Sequence, residues 1–245
     1  MKRTLVLVYG LISYLLFFGT FLYAIGFIGN IFVPKSIDGT PAVPLMSAIF
    51  VNAGLLLLFA LQHSIMARPA FKAKWIKYVP EQIERSTYVL FSSICMLLLM
   101  WQWQPMGGFI WDVKDAAGKT ILTSLFGIGW AIVLISTFLI NHFDLFGLRQ
   151  VWFYFLGKKY EHLKFRVPFF YKYVRHPLYF GWLVCFWATP VMSAAHLLFA
   201  LLTTGYIFIA IWFEERDLIE QFGSKYNDYK NKTPMIFPVG RKKTA

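Results

Sequence analysis

Uncharged apolar residues fall into six runs along the chain: Leu5–Ile28, Leu45–Ile65, Thr87–Trp101, Ile121–Ile140, Leu178–Met192 and Ala194–Phe213. A membrane-spanning helix needs about 20 apolar residues, with a range near 17–25. Four of the six runs meet that length outright. Thr87–Trp101 is shorter, but it continues through Gln102, Trp103 and Gln104, and tryptophans suit a membrane interface. Leu178–Met192 is the shortest, about 22 Å as a helix. Little beyond Pro190 and Ser193 separates it from the next run. These two runs read as a tight helical hairpin. The first run follows Lys2-Arg3 as a signal peptide's would. It is too long for a signal h-region and lacks a clear small-residue cleavage site, so it reads as a mature helix. The expectation is an all-α integral membrane protein of about six transmembrane helices, or five if Leu178–Met192 is re-entrant. It forms one membrane domain over residues 1–245. Four spans occupy 1–140; a cytoplasmic loop, the hairpin and a tail occupy 141–245.

Composition agrees with this reading. The 245 residues are 58% hydrophobic and only 15% charged. Disordered chains lack such apolar content, and nucleic-acid binders carry far more charge. The two cysteines, Cys95 and Cys185, lie inside apolar runs and form no CxxC, so they read as small buried hydrophobes. The net charge of +12 still needs a reason. From the N-terminus through successive inter-span segments to the tail, Lys and Arg number 2, 1, 5, 2, 7, 0 and 7. The positive-inside rule turns that alternation into an orientation, with both termini cytoplasmic. The excess basic charge then lies on one face, where it also attracts anionic headgroups.

This topology brings rare polar residues to one depth. Gln62-His63 ends the second span, Asn141-His142 the fourth, Arg175-His176-Pro177 opens the fifth and Glu214-Glu215 closes the sixth. Ionisable groups at membrane depth are costly and mark functional sites. Each has a plainer explanation alone: an interfacial histidine, a proline in a first helical turn, a solvated helix end. Gly127-Ile128-Gly129 reads as a packing notch. Convergence at the cytoplasmic edge favours a site. His196 falls on the opposite face and His162 in a loop, so both are set aside. No HxxxH or HExxH occurs, so no metal is expected. The span centres are almost wholly apolar, unlike those of a transporter. An enzyme at the inner membrane edge is the best fit.

The C-terminal third carries a longer pattern: Arg175-His176-Pro177-Leu178-Tyr179-Phe180-Gly181, then Glu214-Glu215, then Phe222-Gly223-Ser224-Lys225-Tyr226-Asn227-Asp228-Tyr229, then Pro234 and Pro238. It resembles the isoprenylcysteine carboxyl methyltransferase and phospholipid methyltransferase superfamily of membrane enzymes. Leu61-Gln62-His63-Ser64, Glu84-Arg85-Ser86-Thr87-Tyr88 and Asn141-His142-Phe143-Asp144 resemble its methanethiol S-methyltransferase branch, to which nurim is related. The resemblance implies S-adenosyl-L-methionine (SAM) as cofactor. It also implies a cofactor site from Arg175, His176, Pro177, Tyr179, Gly181, Glu214 and Glu215, covered by Tyr226 and Tyr229. The substrate it implies is a small thiol, methanethiol, converted to dimethyl sulfide.

A thiol attacks as its thiolate. His63, Arg85 and His142 are therefore the catalytic candidates, an imidazole as proton acceptor and Arg85 as a charge that stabilises the thiolate. Asp144 is a candidate to orient His142. Two other readings stay open: a methyltransferase for a lipid or prenylcysteine, and a non-enzymatic nurim-like scaffold. The expected partners are the thiol and membrane lipids, with no nucleic acid and no obligate protein partner. The expected location is a bacterial inner membrane.

Overall fold

The structure, a computed structural model, describes residues 2–161 and 163–238. His162 and the final basic residues Arg241, Lys242 and Lys243 lie outside the described residues. The chain runs α1 (Arg3–Gly29), α2 (Leu45–Ala67), α3 (Pro69–Trp75), α4 (Glu81–Gln102), β1 (Phe109–Asp112), α5 (Ala116–Ile140), α6 (His142–Leu145), α7 (Leu148–Phe155), a short 3-10 turn at Phe169–Lys172, α8 (Pro177–Trp187), β2 (Val191–Ser193), α9 (Ala194–Phe222) and α10 (Ser224–Lys232).

Helices α1, α2, α4, α5 and α9 are each long and apolar enough to cross a bilayer. Between 17% and 39% of the most apolar window of each is buried inside the protein. The remaining apolar surface therefore needs lipid around it, and helices suit that solvent because their backbone groups are satisfied within the segment. Helix α8 differs. It has 11 residues, about 16 Å of rise, against a hydrocarbon core of about 30 Å. Pro190 accounts for the early stop: it offers no N–H and keeps Thr189 out of the helical region. The expected tight helical hairpin is thus an 11-residue helix followed by one of 29 residues.

The fold is nearly all-α, with one small sheet that the apolar pattern did not suggest. Strands β1 and β2 pair antiparallel, with Phe109 opposite Ser193 and Asp112 opposite Val191.

Contacts divide the chain into two compact units, each drawing segments from both sides of residue 140. The first comprises Met1–Asp112, His142–His162 and Val191–Leu202. Within it α1 packs on α4 and α7, and α2 packs on α4. Buried polar groups fix these helices in register. The Tyr9 hydroxyl hydrogen-bonds Thr87 at 2.9 Å. Asn52, fully buried in α2, donates to the Gln104 carbonyl and accepts from its N–H, both at 2.8 Å. Trp103, also fully buried, donates to the Ile37 carbonyl at 3.1 Å. Such pairings are what buried polar groups require.

The second unit comprises Val113–Asn141, Leu163–Pro190 and Thr203–Ala245. Here α5 packs on α8 through glycine. A Cβ on Gly129 would lie 2.8 Å from Cys185 Sγ and 3.0 Å from the Gly181 carbonyl oxygen; one on Gly181 would lie 2.9 Å from the Gly129 carbonyl oxygen. Small residues let membrane helices approach this closely. Of the expected notch, Gly129 makes the contact, while a Cβ on Gly127 would meet nothing within 4 Å. Trp130 and Trp182 extend the same interface, edge to face at 5.0 Å.

Candidate active site

The second unit holds the Arg-His-Pro and Glu-Glu segments, and Glu215 is their hub. Pro177 occupies the first turn of α8, where its missing N–H costs nothing. That leaves Arg175 and His176 extended ahead of the helix. Their N–H groups donate to the Pro234 and Met235 carbonyls at 2.9 and 3.0 Å. The proline-flanked tail is thereby stitched beside them. Arg175 Nε donates to Glu215 Oε1 at 2.7 Å, and its Nη1 donates to the Lys230 carbonyl at 2.9 Å and to the Thr233 carbonyl. His176 Nε2 lies 3.0 Å from the same Glu215 oxygen. Lys230 Nζ reaches the other oxygen at 2.8 Å. The Glu215 side chain is 8% exposed and takes two full cations and an imidazole. A buried carboxylate needs partners of this kind.

The adjacent Glu214 behaves differently. Its side chain is 43% exposed, and its nearest charged partner is His176 Nδ1 at 3.9 Å. The two carboxylates therefore divide the work: Glu215 locks the segment, and Glu214 remains open to a ligand.

Aromatic rings stand over this cluster. Tyr226 and Tyr229, three apart on α10, have centroids 5.8 Å apart at 65°. Phe165 meets Tyr226 at 6.0 Å and Tyr229 at 5.7 Å. Tyr229 donates to the Tyr171 carbonyl at 2.6 Å. Among the described residues the Tyr226 hydroxyl is buried with no hydrogen-bond partner, which is uncommon and invites a bound group. Burial raises the pKa of both phenols well above the usual tyrosine value, so both stay neutral donors. Tyr179 packs its ring 5.6 Å from that of His176. Gly181 packs closely against Gly129 and Val133 of α5.

The first unit holds the three catalytic candidates. His63 lies in the last turns of α2, with the Tyr88 hydroxyl 2.9 Å from Nε2 and 3.0 Å from Nδ1, and with Ser92 Oγ 3.2 Å from Nδ1. Arg85 lies one helical turn before Tyr88, its guanidinium carbon 4.9 Å from that ring's centroid, a cation–π arrangement. Arg85 Nε also donates to the Leu145 carbonyl at 2.7 Å, which ties α6 to α4. Gly147 follows with φ +87, and a Cβ there would sit 2.7 Å from the Ser86 nitrogen. Only glycine permits both that backbone and that approach.

His142 is 3% exposed. Its Nε2 hydrogen-bonds the Tyr14 hydroxyl of α1 at 2.9 Å. Desolvation lowers its pKa below the ordinary imidazole value. The expected orienting partner, Asp144, holds Arg149 and Tyr160. Asp144 Oδ1 accepts from Arg149 at 3.0 Å and from the Tyr160 hydroxyl at 2.9 Å; burial first, and then the Asp144 carboxylate, push the Tyr160 phenol up to about 12.

Sequence reasoning thus missed Tyr14, Tyr88, Phe165 and Lys230. Tyr88 stood inside a quoted motif, and its place one turn after Arg85 was a usable signal. Tyr14 is one aromatic among many in the first apolar run, and nothing local distinguishes it. Among the described residues, no three His, Cys, Asp or Glu side chains group so as to hold a metal.

No family model matches the chain, and no solved structure does. Curated relatives do. A methanethiol S-methyltransferase of Crocosphaera subtropica is 55% identical over 243 residues, 99% of this chain and 95% of that protein. One of Mycobacterium tuberculosis is 52% identical, over 97% of this chain and 98% of its own length. Nurim of Xenopus laevis is 33% identical over 65% of this chain and 58% of its own. At half identity and nearly full mutual length, this chain belongs to the methanethiol S-methyltransferase family.

Proposed function

We propose that this membrane protein transfers the methyl group of SAM to methanethiol, releasing dimethyl sulfide. The observation that carries the reading is the split carboxylate pair. Glu215 is consumed by Arg175, His176 and Lys230, while Glu214 and the unpartnered Tyr226 hydroxyl remain to meet a ligand. These residues fit SAM. An open carboxylate suits its ammonium or ribose hydroxyls, and the faces of Tyr226, Tyr229 and Phe165 suit its sulfonium. When bound, SAM supplies an electrophilic methyl group. The protein's own task is then to hold methanethiol, take its proton and exclude water. His63 and His142, each hydrogen-bonded to a tyrosine, are the acceptors for that proton, and Arg85 is the charge that favours the thiolate. So small a substrate brings no remote binding energy, so positioning must supply the rate.

Topology belongs to the same proposal. Glu215 hydrogen-bonds His176, so the start of α8 and that point on α9 lie side by side. From Ala194 to Glu215, α9 rises about 32 Å. The chain from Pro177 to Ser193 must cover the same distance in reverse. Helix α8 gives about 16 Å and extended residues 188–193 about 20 Å more. These lengths support the reading of six crossings, one of them half helix and half extended. The pairing of β2 with β1, in the link after α4, agrees. An even number of crossings with the observed Lys and Arg alternation supports both termini in the cytoplasm of a bacterial inner membrane.

Titration of detergent-purified protein with SAM tests the cofactor assignment. Glu214→Ala is expected to weaken SAM binding about tenfold or more, since a charged hydrogen bond contributes roughly 1.5–3 kcal/mol. Unchanged affinity would remove Glu214 from the site.

A further inference from the structure

We propose that the stacked rings of Phe17 and Phe146 set the size limit on the acceptor thiol. The inference rests on the reading of His63 and His142 as groups of the acceptor site.

The two rings stack at 3.7 Å between centroids, tilted by 19°. On one side Phe146 meets the His142 imidazole at 4.9 Å and 61°. Phe17 lies 6.0 Å from Tyr14, the residue that hydrogen-bonds His142. On the other side both rings pack against the buried cluster of Met66, Tyr88 and Val89, and the Tyr88 hydroxyl contacts His63. A single aromatic stack therefore borders the His142 imidazole on one side and the cluster holding Tyr88, the partner of His63, on the other. It joins α1 to the α6 corner, which Arg85 and Gly147 hold rigidly against α4.

The chemistry suits a small thiol. Sulfur makes favourable contacts with aromatic rings at about 5 Å, and an apolar wall beside a neutral imidazole gives the water-poor setting in which a bound thiolate stays reactive. The same wall limits size. Close-packed rings yield little, so each methylene beyond methanethiol must displace a phenyl group. Apolar pockets typically discriminate one methylene by about 10–200-fold.

The test compares kcat/KM for methanethiol and 1-propanethiol, with headspace detection of dimethyl sulfide and methyl propyl sulfide. Wild type, Phe17→Ala, Phe146→Ala and the milder Phe17→Leu and Phe146→Leu are assayed, each first shown to bind SAM. Phe50→Ala serves as a remote control, its ring being 71% exposed on α2. The expected result is a propanethiol-to-methanethiol ratio raised about tenfold or more in the alanine variants. The leucine variants should show a smaller rise and carry the comparison if the alanine variants fail to fold. The control ratio stays fixed. An unchanged ratio in SAM-binding variants that still methylate methanethiol overturns the size limit and leaves the functional reading intact. A wild-type protein that binds SAM and methylates neither thiol overturns both.

Discussion

Glu214 and Glu215 are neighbours in sequence with different fates, and burial is the reason. Removing the Glu215 carboxylate strands Arg175, whose side chain is 10% exposed, without its ion pair. Breaking a buried pair costs about 3–5 kcal/mol, so Glu215→Ala is expected to lower the thermal midpoint of the detergent-solubilised protein sharply. Glu214→Ala should leave that midpoint nearly unchanged while weakening SAM. Equal midpoints for the two variants would contradict the division. His142 offers a second contrast. Its lowered pKa keeps the buried imidazole neutral at pH values where an ordinary histidine, near 6.5, begins to charge. The unfolded chain binds that proton first, so stability from this group is lost as pH falls below about 6.5 toward the lower folded value. If His142 is the acceptor, the acidic limb of kcat lies below 6.5. Tyr14→Phe should move that limb and reduce kcat about three- to tenfold, the worth of one neutral hydrogen bond. A pH profile superimposable on wild type would demote Tyr14 to packing. The residues legible from sequence here were those in dense polar motifs. Tyr14 was not, because a phenol inside an apolar run declares no partner until helices pack. Lys230 was hidden for the opposite reason, as one cation in a basic tail.

At the scale of elements, apolar run length located α1, α2, α5 and α9, although α5 begins earlier, at Ala116, and α9 continues past its uncharged run to Phe222. It also located α4, although that helix begins earlier, at Glu81. Length misled at α8. The run Leu178–Met192 is continuous in composition, but Pro190 divides it into a helix and an extended stretch, and a composition count does not see backbone geometry. The short β1–β2 pair escaped notice for the same reason: three or four residues pairing across a long loop leave no periodic trace. The glycine notch was legible as a motif, but not which glycine mattered. Gly129→Ala should destabilise the protein by about 1–3 kcal/mol through overpacking against α8, and Gly127→Ala should be silent. Thermal unfolding of the pair decides it; matched losses would mean that the α5–α8 approach is not glycine-limited.

For the whole molecule, the basic excess is best understood as an orientation signal. The protein leaves most of the apolar window of each long helix unburied, and on the proposed topology the few charges divide unevenly between the two faces. The Glu215 clamp and the tyrosine-held histidines use a small minority of those charges. Cysteine labelling from either side of sealed vesicles tests the six-crossing arrangement, with sites introduced at Ser193 and Ser224. The account expects them to react from opposite sides. Labelling from one side would mean that the α8 segment turns back within the bilayer.

The central claim is thiol methylation at a membrane site, and the most direct measurement is headspace gas analysis of purified protein supplied with methanethiol and SAM. The account predicts dimethyl sulfide that depends on both additions and is lost in Glu215→Ala. Methanethiol left unchanged by a protein that binds SAM, with methyl groups appearing instead on a lipid or a prenylcysteine, would contradict it.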